Sequence, residues 1–287
     1  MLILAEIKLA MKKYFVLIAF CTIHYFANAQ QLHTPAPSPT QVIKQDFSLS
    51  NIEISYSRPG IKGRKIFGDL VPYGQVWRTG ANSATTITFG EDVSFGGQKV
   101  AAGKYGLLTI PGEKEWTIIL SKQLDVTNPS AYKQDQDVVR VQIKPVQIPA
   151  TIENFMITFD EIKPTSLQLE LLWDKTLVSV PVTTDIDAKI MGDIDAGMKT
   201  DKPPYAQAAQ YYLDNGKDLN QALEWFNKGI ADNPEAYWLY YQKARTLAKL
   251  NKKQDAIDAA NKSIELAKAA KNNDYVVLNE KLLKTLN

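Results

Sequence analysis

Residues 167–173 read Leu-Gln-Leu-Glu-Leu-Leu-Trp, and residues 139–144 read Val-Arg-Val-Gln-Ile-Lys. In both stretches apolar side chains recur at every second position, so that one face is apolar. Side chains alternate between the two faces of a β-strand, and this period of two is typical of a half-buried strand. The same alternation recurs from about Val42 to Val182, for example in Ile52–Tyr56 and Thr85–Phe89. The sequence therefore predicts a domain of short strands, each with one apolar face.

Turn-forming residues separate the predicted strands. Gly96-Gly97 stands between two short apolar runs, which predicts a two-residue hairpin. Pro111-Gly112 suits the centre of a type II turn, and Asp174-Lys175 is a weaker hairpin signal. About eight to ten short strands of this kind predict an all-β antiparallel sandwich or a flattened barrel. The pattern leaves both architectures open.

The first 29 residues have the features of a secretory signal peptide. Lys12 and Lys13 precede an apolar stretch that is too short to span a bilayer, and Ala27-Asn28-Ala29 supplies an A-x-A cleavage site. Met11 is the expected start of translation. The sequence thus predicts a protein that is exported to the periplasm or secreted, without a membrane span.

Removal of this segment limits the chemistry that remains. Cys21 is the single cysteine of the chain, and bulky Phe20 before it disfavours a lipoprotein site there. The mature chain then has no cysteine, and of the two histidines it keeps only His33. Ser-His-Asp and Cys-His catalysis are therefore excluded unless His33 folds back from its Pro-rich stretch, and zinc sites built from Cys and His are excluded too. We expect no catalytic residue, metal site or cofactor, and the sequence favours a protein that is not an enzyme.

The charge balance disfavours a nucleic-acid partner. The 287-residue chain has a formal net charge of +2, and residues 1–29 contain three lysines and one glutamate. The mature chain is therefore close to neutral, whereas a nucleic-acid-binding protein usually carries a basic excess.

The C-terminal part of the chain repeats with a period of 34 residues. Residues 222–230, Ala-Leu-Glu-Trp-Phe-Asn-Lys-Gly-Ile, return as residues 256–264, Ala-Ile-Asp-Ala-Ala-Asn-Lys-Ser-Ile. This period in paired helices is typical of tetratricopeptide repeats. Two repeats and a last helix are fewer than such arrays normally need, so we expect the helices to pack on the β domain or on one another.

These patterns give the predicted domain organisation. The chain is divided into a signal peptide (1–29), a Pro-rich leader (30–40), a β-sandwich domain (41–184), a helical linker (185–202) and a tetratricopeptide-like helical domain (203–287).

The richest candidate site is the segment between Arg58 and Asn82, which contains many glycines and basic residues. Glycine lets the backbone approach a ligand, and guanidinium groups match carboxylate, sulfate or phosphate. One interpretation is a pocket for an anion or an acidic sugar. The alternative is an ordered loop in which Arg78 pairs with a buried acid, Asn82 caps a turn and Trp77 fills the core. The candidate ligand-binding residues are Arg58, Arg64, Lys65, Arg78 and Asn82.

A second candidate site lies in the helical part. Tyr237, Trp238, Tyr240 and Tyr241 are nearly consecutive, so they cannot all lie on one helix face. At least one must face solvent, the β domain or a partner, and aromatic residues are enriched at binding hot spots. The candidate partner-binding residues are Tyr237, Trp238 and Tyr241.

Several long motifs of the predicted β domain are distinctive, namely Tyr56–Pro59, Lys62–Gly68, Leu70–Gly74, Val76–Asn82, Ala102–Tyr105 and Ile110–Trp116. Together they resemble a known family, the domain of unknown function 2911 family of proteins exported by Gram-negative bacteria. The resemblance covers about Ser38–Thr184, and members often carry a similar helical tail. It implies no activity, but it adds weight to Arg64, Lys65, Arg78 and Asn82. The stretch Asp125–Gln136 departs from the family pattern, which puts the specificity of any pocket that it lines in doubt.

Two functional hypotheses follow. The first is a non-enzymatic binding or scaffold module whose helical repeats bind a protein partner. The second is a β domain that binds or hydrolyses a cell-envelope sugar or an anionic small ligand through the Arg58–Asn82 loop.

Overall fold

The computed structural model describes residues 34–286, and the predicted signal peptide lies outside the described residues. The chain forms two compact units, of which one ends at Thr184 and the other begins at Asp185. The first unit is built of strands and the second of helices, as the sequence predicts. Between residues 34 and 286, no helix combines the length and the apolar character needed to cross a membrane.

The first unit contains two antiparallel sheets. One sheet has the strand order β1-β2-β3-β6-β7-β8 and the other has the order β5-β4-β10-β9. The strands are β1 (Thr40–Phe47), β2 (Ser50–Ser57), β3 (Thr86–Phe89), β4 (Val93–Phe95), β5 (Gln98–Val100), β6 (Gly103–Ile110), β7 (Trp116–Ser121), β8 (Asp137–Ile143), β9 (Val146–Lys163) and β10 (Ser166–Thr183).

The apolar faces of the two sheets form one shared core. Ile54 of β2 and Ile118 of β7 belong to the same buried cluster as Leu169 and Val180 of β10. No strand ladder joins the two sheets among the described residues. The architecture is therefore a sandwich, and not the flattened barrel that the sequence left open.

The turns agree only in part with the sequence-based predictions. Gly96 and Gly97 join β4 to β5, and both have positive φ, as a type I′ hairpin turn requires. Gly112 lies in the predicted connection between β6 and β7, but its φ is not positive, so the turn is not of type II. Asp174 does not form a hairpin. It adopts a φ of +53° at a register shift within β10, which is a β-bulge.

The second unit contains six helices in the described part of the chain. They are α1 (Asp187–Gly197), α2 (Tyr205–Asp214), α3 (Leu219–Asp232), α4 (Tyr237–Lys249), α5 (Lys253–Ala269) and α6 (Asn273–Leu286). The helix α1 lies within the predicted linker. Its Asp187 accepts a hydrogen bond from the Tyr211 hydroxyl at 2.7 Å and forms an ion pair with Lys217.

Small side chains lie between the repeated helices. Ala222 of α3, Ala244 of α4 and Ala256 of α5 are fully buried. A Cβ atom added to Gly229 would lie 3.3 Å from Cδ1 of Leu239 on the next helix. Small residues at these positions allow the close helix packing that the 34-residue period predicted.

Candidate functional site

A cleft of about 350 Å³ lies beside the connection between β2 and β3, residues 58–85. Its size is at the lower end of the range for pockets that bind small molecules, about 300–1,000 Å³. Most of its wall comes from this connection, and the rest comes from the leader, from β10 and from a 3₁₀ turn at Pro129–Ala131. The lining residues include Ser38, Arg64, Leu70, Arg78, Pro129 and Trp173.

Backbone hydrogen bonds hold the β2–β3 connection against the sandwich. The Ile61 N–H donates to the Glu153 carbonyl oxygen at 2.9 Å. Further along, Trp77 and Thr109 of β6 exchange two N–H···O bonds, at 2.7 Å and 3.0 Å. These bonds explain why a long connection without regular secondary structure can keep a defined wall.

Two indole rings form the inner part of the cleft. The rings of Trp77 and Trp173 are stacked, with centroids 5.7 Å apart and an angle of 17° between their planes. The Trp77 ring also meets Phe155 edge-on at 5.0 Å, which joins it to the sandwich core. Trp77 thus packs against the core, as the ordered-loop interpretation predicted, and it lines the cleft as well.

The backbone next to Arg78 has an uncommon conformation. Thr79 is fully buried and has a φ of +55°, which costs a β-branched residue about 1–2 kcal/mol. Gly80 follows with a φ of +153°, and a Cβ atom there would lie 2.9 Å from the Ser57 carbonyl oxygen. Strained backbone of this kind persists where the surroundings hold it, and it often occurs at functional sites.

Arg78 is half-buried in the wall of the cleft and has no carboxylate partner. Its Nη1 group donates to the Thr127 carbonyl oxygen, and its Nε group is buried without an acceptor. No ion pair among residues 34–286 includes Arg78. The ordered-loop interpretation requires a buried acid that pairs with Arg78, and no such acid is found among the described residues. An arginine has five N–H donors, and the described residues supply acceptors for only some of those of Arg78.

Arg64 supplies a second cation to the same cleft. Its Nε group donates to the Ile61 carbonyl oxygen at 3.0 Å, and its Nη2 group donates to the Gly60 carbonyl oxygen at 2.6 Å. These bonds hold the guanidinium against its own loop while the side chain remains exposed. No aspartate or glutamate is among the described residues that line the cleft. The cleft therefore has a positive potential that favours an anion.

The other three candidate residues do not line this cleft. The Arg58 Nε group donates to the Phe155 carbonyl oxygen at 3.0 Å, which joins the connection to β9. The Asn82 Nδ2 group donates to the Ser38 carbonyl oxygen at 2.8 Å, which holds the leader. Lys65 is exposed. Of the five predicted residues, the structure brings Arg64 and Arg78 together.

The stretch that departs from the family pattern contributes to the cleft. Its Pro129 lines the wall, and its Thr127 binds Arg78. Neither residue was predicted from the sequence as part of a site, and neither was Trp173. The signal for Trp173 was its place on the apolar face of a predicted strand, which indicated only that it is part of the core.

A half-buried polar cluster anchors the end of this stretch. The Tyr132 hydroxyl donates to Oδ2 of Asp137, and Arg140 Nη1 forms an ion pair with the same oxygen at 2.8 Å. Burial, together with the hydrogen bond to the Asp137 carboxylate, raises the pKa of Tyr132 to about 12. Tyr132 therefore stays neutral at physiological pH and holds the stretch to β8.

The candidate partner-binding residues also come together in the structure. Tyr237 meets Trp238 edge-on at 4.9 Å, and both Tyr237 and Tyr241 meet Tyr275 of α6, at 5.0 Å and 5.7 Å. Arg245 lies 5.9 Å from the centre of the Tyr241 ring. We call these five residues of α4 and α6 the aromatic cluster. Trp238 is 41% exposed, so the cluster presents an indole to solvent.

Acidic residues do not gather into a metal site in the described part of the chain. No group of three or more Asp, Glu, His or Cys residues there has the arrangement needed to hold a metal ion.

Comparison with known proteins gives one match. The model of a family described as "Protein of unknown function (DUF2911)" matches residues 38–182, which is half of the chain. No curated protein matches the chain, and no solved structure matches it.

Proposed function

The chain belongs to the DUF2911 family, as its motifs predicted, and on that premise we propose that its β domain is a non-enzymatic binding module for a small anion. The anion is held in the cleft between Arg64 and Arg78. The family description names no activity, so the proposal rests on the geometry of the cleft.

One observation carries the proposal, namely the state of Arg78. This arginine is half-buried, it has no carboxylate partner among the described residues, and one of its N–H groups is buried without an acceptor. A buried donor without a partner costs about 1–3 kcal/mol. A bound anion would supply the missing charge and acceptors, since guanidinium groups bind carboxylate and phosphate through paired hydrogen bonds.

The lining favours binding over hydrolysis. Glycoside hydrolysis uses a pair of carboxyl groups on either side of the bond that is cleaved. The described side chains around this cleft are two arginines, one serine, one glutamine and apolar groups. They can neutralise and position an anion, which is the property of a binding site.

Calorimetric titration with acetate, phosphate and glucuronate tests this proposal. We expect at least one of these anions to bind, and Arg64→Gln and Arg78→Gln to weaken that binding about tenfold or more, since each removes charge-assisted hydrogen bonds. Lys65→Gln is the matched control, because Lys65 is exposed and does not line the cleft. The proposal is wrong if none of the three anions binds, or if both arginine variants bind as the control does.

A second function is favoured by the aromatic cluster. We propose that the helical unit binds a protein partner through Trp238, Tyr237 and Tyr241. An exposed indole at Trp238 and an arginine, Arg245, over the Tyr241 ring give the cluster the composition of an interface hot spot. Capture of proteins from a Gram-negative envelope extract tests this idea. Trp238→Ala should lose a partner that the wild type retains, and Tyr73→Ala, which removes an equally exposed aromatic side chain from the β unit, should retain it.

We also propose that the protein is exported. The support is the N-terminal sequence alone, with Lys12 and Lys13, the short apolar stretch and Ala27-Asn28-Ala29. Cell fractionation and N-terminal sequencing of the mature protein test this proposal. A mature chain that begins at Gln30 in the periplasm or medium is expected, and an uncleaved cytoplasmic chain would contradict it.

A further inference from the structure

The cleft that holds the two arginines is otherwise largely apolar. Leu70, Val71 and Val76 line it together with Trp77 and Trp173, and three prolines complete the apolar wall, namely Pro59, Pro72 and Pro129. Apolar lining of this extent stabilises a ligand in proportion to the apolar area that the ligand buries. A small inorganic anion would leave this surface uncovered.

The polar side chains in the cleft are few. Apart from the arginines, Ser38 and Gln75 carry polar side-chain atoms among the described lining residues, and the indole N–H groups of Trp77 and Trp173 already donate to the carbonyl oxygens of Gly80 and Glu153. A sugar acid brings several hydroxyl groups, each of which donates and accepts hydrogen bonds, and a hydroxyl that is buried without a partner weakens binding. The lining therefore suits a ligand with one polar end better than a ligand that is polar all round.

The arginines indicate where that polar end lies and what charge it carries. Arg64 uses Nε and Nη2 to bind its own loop, so that Nη1 is the group left to bind a ligand. Arg78 uses Nη1 to bind Thr127, and its Nε and Nη2 groups have no acceptor among the described residues. Nε and Nη2 lie on one edge of the guanidinium, and that edge matches the two oxygens of a single carboxylate. Because Nε is buried, we expect the Arg78 side chain to turn when the carboxylate binds.

We infer that the ligand of this cleft is a monocarboxylate with an apolar body. This inference rests on the anion-binding function proposed above and names its substrate class. The carboxylate lies between Arg64 and Arg78, and the apolar body lies against Leu70 and the tryptophan–proline wall. Two sources share this chemistry: a free aryl or alkyl acid, and the C-terminal carboxylate of a peptide that ends in an apolar residue.

Titration of the full mature chain with a set of matched probes tests the inference. The probes are acetate, glucuronate, phenylacetate, phenylacetamide, N-acetyl-Gly-Phe and the C-terminal amide of that peptide. We expect phenylacetate to bind about tenfold or more tightly than acetate and glucuronate, because it adds apolar contact without unmatched hydroxyls. We expect phenylacetamide and the peptide amide not to bind, because they lack the charge.

A pair of leucine variants separates the apolar contact from the charge. Leu70 lines the cleft and is 42% exposed, and Leu124 does not line it and is 43% exposed. Leu70→Asn should weaken phenylacetate binding several-fold more than it weakens acetate binding, whereas Leu124→Asn should change neither. Both positions are on the surface, so neither variant is expected to unfold the protein.

The outcomes distinguish the inference from the function on which it rests. If no anion binds, the proposed function fails. If acetate or glucuronate binds through Arg78 and phenylacetate binds no better, the cleft is an anion site and the apolar-body inference fails. If phenylacetate binds and N-acetyl-Gly-Phe does not, the inference holds and the source is a free acid. If the peptide binds at least as tightly as phenylacetate, the source is a peptide C-terminus.

Discussion

Thr79, which directly follows Arg78, is a fully buried residue in a left-handed backbone conformation. A threonine with a φ of +55° is strained, and buried hydrogen bonds offset part of that strain. Its hydroxyl donates to Oγ1 of Thr109 at 3.2 Å, and its carbonyl oxygen accepts the Thr85 hydroxyl at 2.8 Å. Because Arg78 directly precedes this turn, we expect the hydroxyl network to help to set where its guanidinium enters the cleft.

Replacement of the Thr79 hydroxyl tests this role. Thr79→Val keeps the shape of the side chain and removes its hydrogen bond to Thr109, which is itself fully buried. We expect the free energy of unfolding to fall by about 1–3 kcal/mol, measured by urea titration. Thr88→Val on β3 is the control, since Thr88 is half-buried and its side chain makes no hydrogen bond with the described residues. Equal losses in the two variants would contradict a special role for Thr79.

The same residues show why the site could be predicted only in part. Arg64 and Arg78 were among the candidates because guanidinium groups match anions. Arg58 and Asn82 were predicted with them, but they bind backbone carbonyls elsewhere. Within a strand, alternation fixes the direction of each side chain. In the β2–β3 connection, Lys62, Thr79 and Asn82 have positive φ, and each such turn redirects the chain in a way that periodicity does not reveal.

At the scale of elements, the hairpin of β9 and β10 is the largest single feature. Each strand has 18 residues, and the pairing runs from Ser166↔Lys163 to Leu177↔Val146 with several register shifts. Its inward face supplies Phe155, Ile157 and Trp173 to the core. Its other face carries charged side chains, among them that of Glu170.

The acidic cluster on this hairpin gives a pH-dependent prediction. Burial, and then the charges of Asp160 and Glu161, raises the pKa of Glu170. An acid whose pKa is raised on folding destabilises the folded state at neutral pH, and this cost disappears as the pH falls below the unfolded value of about 4.3. We therefore expect Glu170→Gln to have a higher unfolding midpoint than the wild type at neutral pH and the same midpoint near pH 3.5.

Thermal unfolding at both pH values measures the effect. Glu53→Gln on β2 is the control, because Glu53 is exposed on the other sheet, and it should change the midpoint little at either pH. A Glu170→Gln variant that is less stable than the wild type at neutral pH would show that the carboxylate is stabilising.

In the helical unit, the start of α3 depends on one cap. Asp218 accepts hydrogen bonds from the backbone N–H groups of Asn220 and Gln221, at 2.8 Å and 3.3 Å. Loss of an N-cap of this kind costs about 1 kcal/mol. We expect Asp218→Ala to lower the stability of the helical unit by that amount in chemical denaturation followed by circular dichroism. Asp218→Asn keeps an acceptor and should retain most of the stability, and a variant as unstable as Asp218→Ala would argue against capping.

Most elements could be predicted from the sequence, and the exceptions have physical causes. The strands follow from a period of two, which reports directly on a buried face, and the paired helices follow from a sequence repeat of 34 residues. Asp174-Lys175 was predicted as a hairpin turn, but the strand continues through it as a bulge. Short-range turn chemistry does not distinguish a reversal from a bulge, because both accept Asp with positive φ. The pairing of β10 with β9 continues on both sides of Asp174, so that this residue forms a bulge and not a reversal.

At the scale of the whole molecule, the two units have separate cores. The β unit is built around the cluster that contains Trp173 and Phe89, and the helical unit is built around clusters that contain Phe226 and Leu247. Because the cores are separate, we expect a cavity made in one core to destabilise only the unit that contains it.

Hydrogen exchange on a pair of core variants tests this separation. Phe226→Ala should cost about 3–5 kcal/mol in the helical unit and accelerate amide exchange in α2–α5 while the strands keep their protection. Phe89→Ala should do the reverse. Faster exchange in both units for either variant would show that the two unfold as one.

The position of β4 has a consequence for the order in which the β unit is assembled. Within residues 34–286, β4 pairs only with β5 and with the end of β10, through Phe95↔Val182, and β10 is the last strand of that range. The six-stranded sheet can therefore form while its apolar side and the free edge of β4 are still uncovered. We expect a nascent chain that stops before β9 to be prone to aggregation. A cell that makes this protein must shield that surface until the final hairpin has been synthesised.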